Sequence, residues 1–232
     1  MRRAAGHLFA CLAALFTAAP LAAADVITAA RYLEPTTRYD HAVLGDAVEW
    51  GALELTVAGR RYVLRLAESR VFEDIAPRIL PGGAAVVVVE SDLRKGARLA
   101  IYGIAGLVAA TPFIGQSHRW LAPVGAADLD GDGKIEIAYV DRPHLRKVLR
   151  IWRFDGEALH LVADLPGLTN HRIGWDFIPG GIRDCGRGLE MILADADWRD
   201  VIAIRWDGQS AQARRLGAYG GPESLDRALN CN

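Results

Sequence analysis

The chain has 232 residues, of which 51% are hydrophobic, with 27 basic and 28 acidic side chains. This length suits one large β domain or two small ones. The near-neutral charge balance offers no electrostatic footprint for nucleic acid or anionic lipid, so nucleic acid is not expected as a partner.

The first 24 residues are typical of a secretory signal peptide. Arg2 and Arg3 supply a positive n-region, residues 8–19 form an apolar run, and three alanines at 22–24 precede Asp25. The run is too short for a membrane span, which needs about 20 apolar residues. We therefore predict cleavage of residues 1–24, no membrane span, and a periplasmic or secreted mature protein. Cleavage removes two basic and no acidic residues from a chain of net charge −1, which leaves −3.

The mature chain would keep two of the three cysteines. Cys11 lies in the predicted signal peptide, so only Cys185 and Cys231 remain. An even count in an oxidising compartment predicts a disulfide bond between them. The alternative is two free, buried thiols.

The mature chain contains internal repeats. Each repeat has a polar or Gly-rich turn, an apolar strand, a charged turn and a second strand that ends near an aromatic residue. Aligning Ala85, Glu136 and Glu190 gives spacings of 51 and 54 residues. The three clear segments are 79–103, 125–156 and 180–208, and a fainter fourth is 50–67, with its turn at 58–60.

Six runs within the clear repeats are predicted to be strands. Nearly continuous apolar runs suit strands that are buried on both faces, and alternating runs suit half-buried strands. A short helix is considered only at the C-terminal end, over residues 224–229. The continuous runs are 85–90, 135–140 and 191–194, and the alternating runs are 97–102, 148–154 and 201–206.

Repeats of about 50 residues with several short strands match the blade length of a β-propeller. We therefore predict an all-β, propeller-like array of about four blades within a single domain, residues 25–232. Closure by an N-terminal strand would pair residues 26–39 with the last unit. The alternative is a β-sandwich with accidental internal similarity. The predicted units are approximately 40–77, 78–121, 122–171 and 172–218, with a C-terminal closure at 219–232.

Three histidines stand just before repeat units. His118 and His171 are 53 residues apart, and His41 precedes the first unit in a similar way. Equivalent sequence positions occupy equivalent places around a propeller axis, so these histidines are candidates for a partial ring at one channel mouth. The alternative is that each fixes a connection between units through hydrogen bonds to the backbone.

The acidic loop 128–136, DLDGDGKIE, is the strongest motif in the chain. Carboxylates at alternating positions of a Gly-containing loop can converge on calcium, which takes six to eight oxygen ligands. The loop is not an EF-hand, because Tyr139 occupies its twelfth position and a predicted strand follows. The alternative is a solvated acidic turn. The predicted ligands are the side chains of Asp128, Asp130, Asp132 and Glu136 and the backbone carbonyl of Lys134.

This loop and the strand after it resemble the FG-GAP or VCBS repeat family, in which a DxDxDG calcium loop joins two blade strands. The resemblance is specific at 128–136 and looser across 78–218, and it implies a propeller like the integrin α-subunit head, with fewer blades. The sister units depart from it, because 81–83 has no carboxylate and 184–186 keeps one aspartate. We therefore expect one calcium ion.

The sequence contains no G-x-S-x-G or H-E-x-x-H motif and no C-x-x-C pair. We expect an exported, non-catalytic binding or scaffold module of the cell envelope, since FG-GAP-like repeats often serve extracellular recognition. Its partner would be an envelope protein or a glycan. The alternative is a small periplasmic propeller enzyme, hydrolase- or lactonase-like, that uses the three histidines and nearby acids. A close cluster of those histidines with Asp46 or Asp176 in a deep pocket would favour it. Asp141 and His144 are also candidates for acid–base chemistry, and the alternative is that they belong to a solvated turn.

Overall fold

The computed structural model describes residues 26–232, so the predicted signal peptide lies outside the described residues. Within them the chain is all-β, with seventeen strands and one helix. The elements are β1 (Ile27–Thr36), β2 (Glu49–Val57), β3 (Arg60–Arg65), β4 (Arg70–Phe72), β5 (Arg78–Ile79), β6 (Val86–Asp92), β7 (Gly96–Gly103), β8 (Gly106–Ala110), β9 (Leu121–Ala127), β10 (Ile135–Asp141), β11 (Val148–Phe154), β12 (Leu159–Pro166), β13 (Leu168–Thr169), β14 (Gly181–Asp184), β15 (Leu189–Asp195), β16 (Asp200–Trp206), β17 (Ala211–Ala218) and α1 (Pro222–Leu229).

The strands form three antiparallel sheets. The first sheet has eight strands in the order β1-β2-β4-β6-β7-β8, with β3 beside β2 and β5 beside β6. The second sheet has four strands in the order β12-β11-β10-β9. The third has five, in the order β13-β15-β16-β17, with β14 also paired to β15. The second sheet lies almost entirely within the predicted unit 122–171, whereas the third sheet takes β13 from that unit and its other strands from the unit 172–218.

The two N-terminal units share the first sheet. Strand β4 joins them, because it pairs with β2 through Phe72 and Trp50 and with β6 through Val71 and Ser91. Strand β1 pairs with β2 along its whole length and not with the final unit. The N-terminal strand therefore does not close the third sheet. Three sheets are described where about four blades were predicted, and propeller closure stays a prediction.

All six strands predicted in the clear repeats are confirmed. The three continuous apolar runs became β6, β10 and β15, whose residues are almost all buried. The predicted turn of the faint repeat is also confirmed, because Ala58 and Gly59 connect β2 and β3 with φ angles of 47° and 76°. Such left-handed angles at both central residues produce the tight turn that a two-residue hairpin requires.

The main hydrophobic core fills the spaces between successive sheets. One cluster joins Val89 and Leu99 of the first sheet to Ile137 and Trp152 of the second. The next joins the second sheet to Met191 and other residues of the third. The central strands β6, β10 and β15 are therefore covered on both faces, which explains why their sequences lack a polar face.

Helix α1 covers one side of the third sheet. Leu225 and Ala228 are buried in a cluster with Ile192 and Ala203 of that sheet. The predicted disulfide is present between Cys185 and Cys231, which ties the chain just after α1 to the turn between β14 and β15. The C-terminal segment is thus a helix pinned to the last sheet and not an additional strand.

No helix within residues 26–232 is both long and apolar enough to cross a membrane.

Candidate metal centre and histidine pocket

The acidic loop connects β9 to β10 at the edge of the second sheet, and its own backbone orients its carboxylates. Both side-chain oxygens of Asp128 accept hydrogen bonds, from the N–H groups of Gly131 at 2.8 Å and Gly133 at 2.9 Å. Glu136 connects the two ends of the loop, because its Oε2 accepts the N–H of Leu129 at 3.0 Å. These bonds fix where the carboxylates point.

Three of the predicted ligands come together. One oxygen from each of Asp128, Asp130 and Glu136 lies within 4.8 Å of the others. Two oxygens bound to one calcium ion are at most about 5.2 Å apart, because each calcium–oxygen distance is about 2.3–2.6 Å. The donor set is therefore of the right kind and spacing for a hard cation. Asp132 does not belong to this group. One of its oxygens accepts the N–H of Lys134 at 2.9 Å, and the other lies 3.2 Å from Nη1 of Arg153.

The side chain of Arg153 reaches the same carboxylates. Its Nε donates to Oε1 of Glu136 at 2.7 Å, and its Nη1 lies 3.2 Å from an oxygen of Asp132. Its Nη2 donates to Asp130. A guanidinium group and a metal ion are thus alternative counter-charges for one carboxylate cluster.

The guanidinium group and a metal ion would both interact strongly with Glu136, because this carboxylate is buried. The side chain of Glu136 is fully buried, and burial raises the pKa of this carboxyl above its usual value despite the hydrogen bonds from Arg153 and Leu129. A nearby positive charge therefore stabilises the ionised form. Arg153 was not among the residues predicted from the sequence, although the hairpin register between β10 and β11 places it opposite Glu136.

The second feature is a cavity of about 290 Å³, which we call the histidine pocket. Residues that precede or follow strands line it. The rings of His41 and His118 line it, with their centroids 5.1 Å apart. His171 is buried behind Trp120, whose ring centroid is 4.9 Å away. His144 also lines the pocket. Four histidines from four different loops are therefore clustered in space.

Two of the three predicted histidines are anchored to the backbone. Nε2 of His118 lies 3.1 Å from the carbonyl oxygen of Tyr39, on whose ring the imidazole also stacks. Nε2 of His171 lies 2.9 Å from the carbonyl oxygen of Trp175. These contacts agree with the alternative interpretation, in which each histidine fixes a connection between units through hydrogen bonds to the backbone.

His41 is held differently, by a buried carboxylate. Its Nδ1 lies 2.5 Å from Oε1 of Glu73, and only 3% of Glu73 is exposed. The hydroxyl of Ser91 donates to the other oxygen of Glu73. The carboxylate therefore orients the imidazole, and its Nε2 is the ring nitrogen left without a hydrogen bond within residues 26–232. No sequence pattern indicated Glu73, which lies 32 residues from His41 along the chain.

His144 and His171 form a pair in which Nε2 of the first lies 3.1 Å from Nδ1 of the second. Burial, together with the charges of His171 and His41, lowers the pKa of His144 to about 4. Burial also lowers the pKa of His171. Both rings are therefore neutral at neutral pH, and one nitrogen of the pair donates a hydrogen bond to the other.

The loops around the histidine pocket contain strained backbone. Five non-glycine residues there have φ angles in the left-handed region: Asp40 at 43°, Ala42 at 52°, His118 at 54°, Arg142 at 46° and Lys147 at 54°. Such angles are uncommon for residues with a side chain, and they cluster at binding and active sites. The strain marks this end of the molecule as a candidate ligand site.

The acidic residues proposed for an enzyme are elsewhere. Asp46 and Asp176 are both exposed, and neither lines the histidine pocket. The cluster of histidines with Asp46 or Asp176 that would favour the enzyme does not form in the histidine pocket, and Glu73 is the carboxylate beside His41.

No protein-family model matches this chain, and no curated protein sequence or solved structure matches it either. The site geometry is therefore the basis for any functional assignment.

Proposed function

We propose that this protein is an exported, non-catalytic module of the FG-GAP or VCBS repeat kind that binds one structural calcium ion and serves recognition in the cell envelope. The observation that carries the proposal is the convergence of oxygens from Asp128, Asp130 and Glu136 within 4.8 Å at the entry to β10. Successive sheets with shared cores support a propeller-like arrangement for the same chain.

The acidic loop would hold the ion through three carboxylates, with Asp132 and the Lys134 carbonyl as the further predicted oxygens. A bound ion would attract all three carboxylates and so hold the end of β9 and the start of β10 together. We expect weak binding, with Kd on the order of 10⁻⁴–10⁻³ M, because the twelfth position lacks a bidentate glutamate. At ten times Kd, binding stabilises the fold by about 1.4 kcal/mol. This stabilisation is sufficient for a purely structural role of the ion.

The histidine pocket is the recognition surface that this proposal favours. Its volume of about 290 Å³ lies near the lower limit of small-molecule sites, and apolar and aromatic side chains accompany its histidines. The neutral imidazole of His144 offers hydrogen bonds without charge, which suits the hydroxyl groups of a glycan or polar groups of an envelope protein.

The test compares thermal melting of residues 25–232 in millimolar calcium and in chelator. We expect calcium to raise Tm by several degrees in the native protein and to have no effect on Asp130→Ala. The matched control is Asp195→Ala, since Asp195 accepts two backbone N–H groups in the turn between β15 and β16. An equal calcium response in Asp130→Ala and the native protein would refute the loop as the site.

A periplasmic hydrolase, lactonase-like in chemistry, is the second candidate. The observation that favours it is the His41–Glu73 pair at 2.5 Å beside the histidine pocket. A carboxylate-oriented imidazole can take a proton from water as the water attacks a lactone carbonyl. Hydrolysis of a lactone panel that His41→Gln abolishes without changing Tm would establish the enzyme. Absence of hydrolysis by the native protein would leave the recognition module.

A further inference from the structure

A further cavity lies at the third sheet and shares no lining residue with the histidine pocket or the acidic loop. Its volume is about 480 Å³, and the third sheet, helix α1 and the disulfide between Cys185 and Cys231 form its walls. We call it the arginine pocket. Its charged lining side chains are Arg183, Arg187, Glu190, Arg214 and Arg227.

Two of these arginines build the floor. Arg183 donates to Oε2 of Glu190 through Nε at 3.2 Å and Nη2 at 2.8 Å, and Arg214 donates to Oε1 at 2.7 Å. Both carboxylate oxygens are thus occupied by guanidinium groups. Burial alone would raise the pKa of Glu190, but the two arginines outweigh it and hold this pKa below its usual value. The local field is therefore positive even where a carboxylate is present.

The other two arginines are available to a ligand. Arg187 and Arg227 are exposed, and neither has an ion-pair partner within residues 26–232. The disulfide brings their segments together, since Arg187 follows Cys185 by two residues and Arg227 precedes Cys231 by four. Four guanidinium groups thus surround the cavity against one carboxylate side chain.

We propose that the arginine pocket binds a polar ligand that carries a phosphate or carboxylate oxyanion. Guanidinium groups present parallel N–H donors that match such oxyanions, and unpaired arginines in a cavity attract them. The volume lies within the range of small-molecule sites, so a sugar phosphate or a uronic acid fits it in size. This inference does not depend on the calcium loop or the histidine pocket.

The test titrates the full mature chain, by isothermal calorimetry at low salt, with four probes. Glucose 6-phosphate and glucuronate carry the oxyanion on a sugar, inorganic phosphate is the free anion, and glucose is the neutral control. The variant is Arg187→Gln with Arg227→Gln. The matched control is Arg61→Gln with Arg94→Gln, two exposed arginines of the first sheet region without ion-pair partners within residues 26–232.

We expect the anionic probes to bind and glucose not to bind. Each guanidinium removed from the pocket should weaken binding about tenfold or more, because a hydrogen bond to a charged group is lost. Tighter binding of the sugar-linked anions than of phosphate assigns a saccharide ligand, and equal binding assigns a free anion. No binding of any anionic probe would overturn the proposal, and so would equal weakening by the control pair.

Discussion

Arg153 lies directly opposite Glu136 on neighbouring strands, and its Nε donates a 2.7 Å hydrogen bond to the buried carboxylate. The same guanidinium reaches Asp130 and Asp132 in the acidic loop. A strand residue outside the motif therefore sets the charge balance of the motif. Any cation that enters the loop must share these carboxylates with Arg153.

The first prediction concerns Arg153→Met. Without calcium, the variant should lose about 3 kcal/mol of unfolding free energy, because it leaves a buried carboxylate without its partner. With millimolar calcium, part of this loss should be recovered, and calcium should bind more tightly than to the native protein. Urea unfolding at several calcium concentrations measures both effects.

The control for Arg153 is Arg150→Met. Arg150 lies on the same strand and pairs with Asp164 at 3.1 Å and Asp141 at 3.5 Å, away from the loop. Its replacement should leave the calcium response unchanged. If calcium stabilised both variants equally, Arg153 would not compete with the ion.

The second prediction concerns the disulfide. Replacing Cys185 and Cys231 by serine should lower the unfolding free energy by about 2–4 kcal/mol, because the bond closes a long loop in the unfolded chain. Reductant should have a similar effect on the native protein and no effect on the double variant. Denaturant unfolding with and without reductant tests this. An identical midpoint for the native and variant proteins would contradict it.

The third prediction concerns Gly96, which supports the loop that carries His118. A Cβ atom at Gly96 would lie 2.2 Å from the carbonyl oxygen of Gln116 and 2.8 Å from that of Arg119. Because both neighbours are backbone atoms, Gly96→Ala should force this loop away. We expect a loss of about 3 kcal/mol or more, which combines left-handed strain with the steric clash.

The control for Gly96 is Gly59→Ala. Gly59 has nearly the same φ, 76° against 71°, but no heavy atom lies within 4 Å of its added Cβ. Its replacement should cost only about 1–2 kcal/mol from the backbone strain. Thermal melting of both variants separates the two causes, and equal costs would show that the His118 loop does not resist displacement.

The fourth prediction concerns the stability of the protein in mild acid. The pKa of His144 is about 4 in the folded protein, below that of an exposed histidine, so the unfolded chain binds the proton more readily. The stabilising contribution is complete above about pH 6.5 and is lost as the pH falls toward about 4. After allowance for the partly exposed ring, we expect a loss of about 1–2 kcal/mol.

The variant His144→Gln keeps a polar side chain but cannot titrate in this range. Its unfolding free energy should fall less than that of the native protein between these two pH values. His171 also has a lowered pKa, so some pH dependence should remain in the variant. Parallel pH profiles for the two proteins would show that His144 titrates normally.

The sequence predicted local structure well. The all-β class, the strands of the clear repeats, the hairpin turn at Ala58 and Gly59 and the pairing of Cys185 with Cys231 are confirmed. These features depend on side-chain periodicity, on turn residues with left-handed angles, and on the cysteine count, all of which are local or countable in the sequence. Asp128, Asp130 and Glu136 lie close together because one short loop carries them, and their binding of calcium stays a prediction.

Contacts between distant segments were decided only by the tertiary structure. The position of Arg153 beside the acidic loop depends on the hairpin register. The contact of Glu73 with His41 depends on the packing of two loops. The arginine pocket depends on the disulfide and on helix α1. The sharing of one sheet by the two N-terminal units depends on the three-residue strand β4. A sequence pattern specifies which residues lie on one face, but it does not specify which partners that face meets, because many packings bury the same apolar residues.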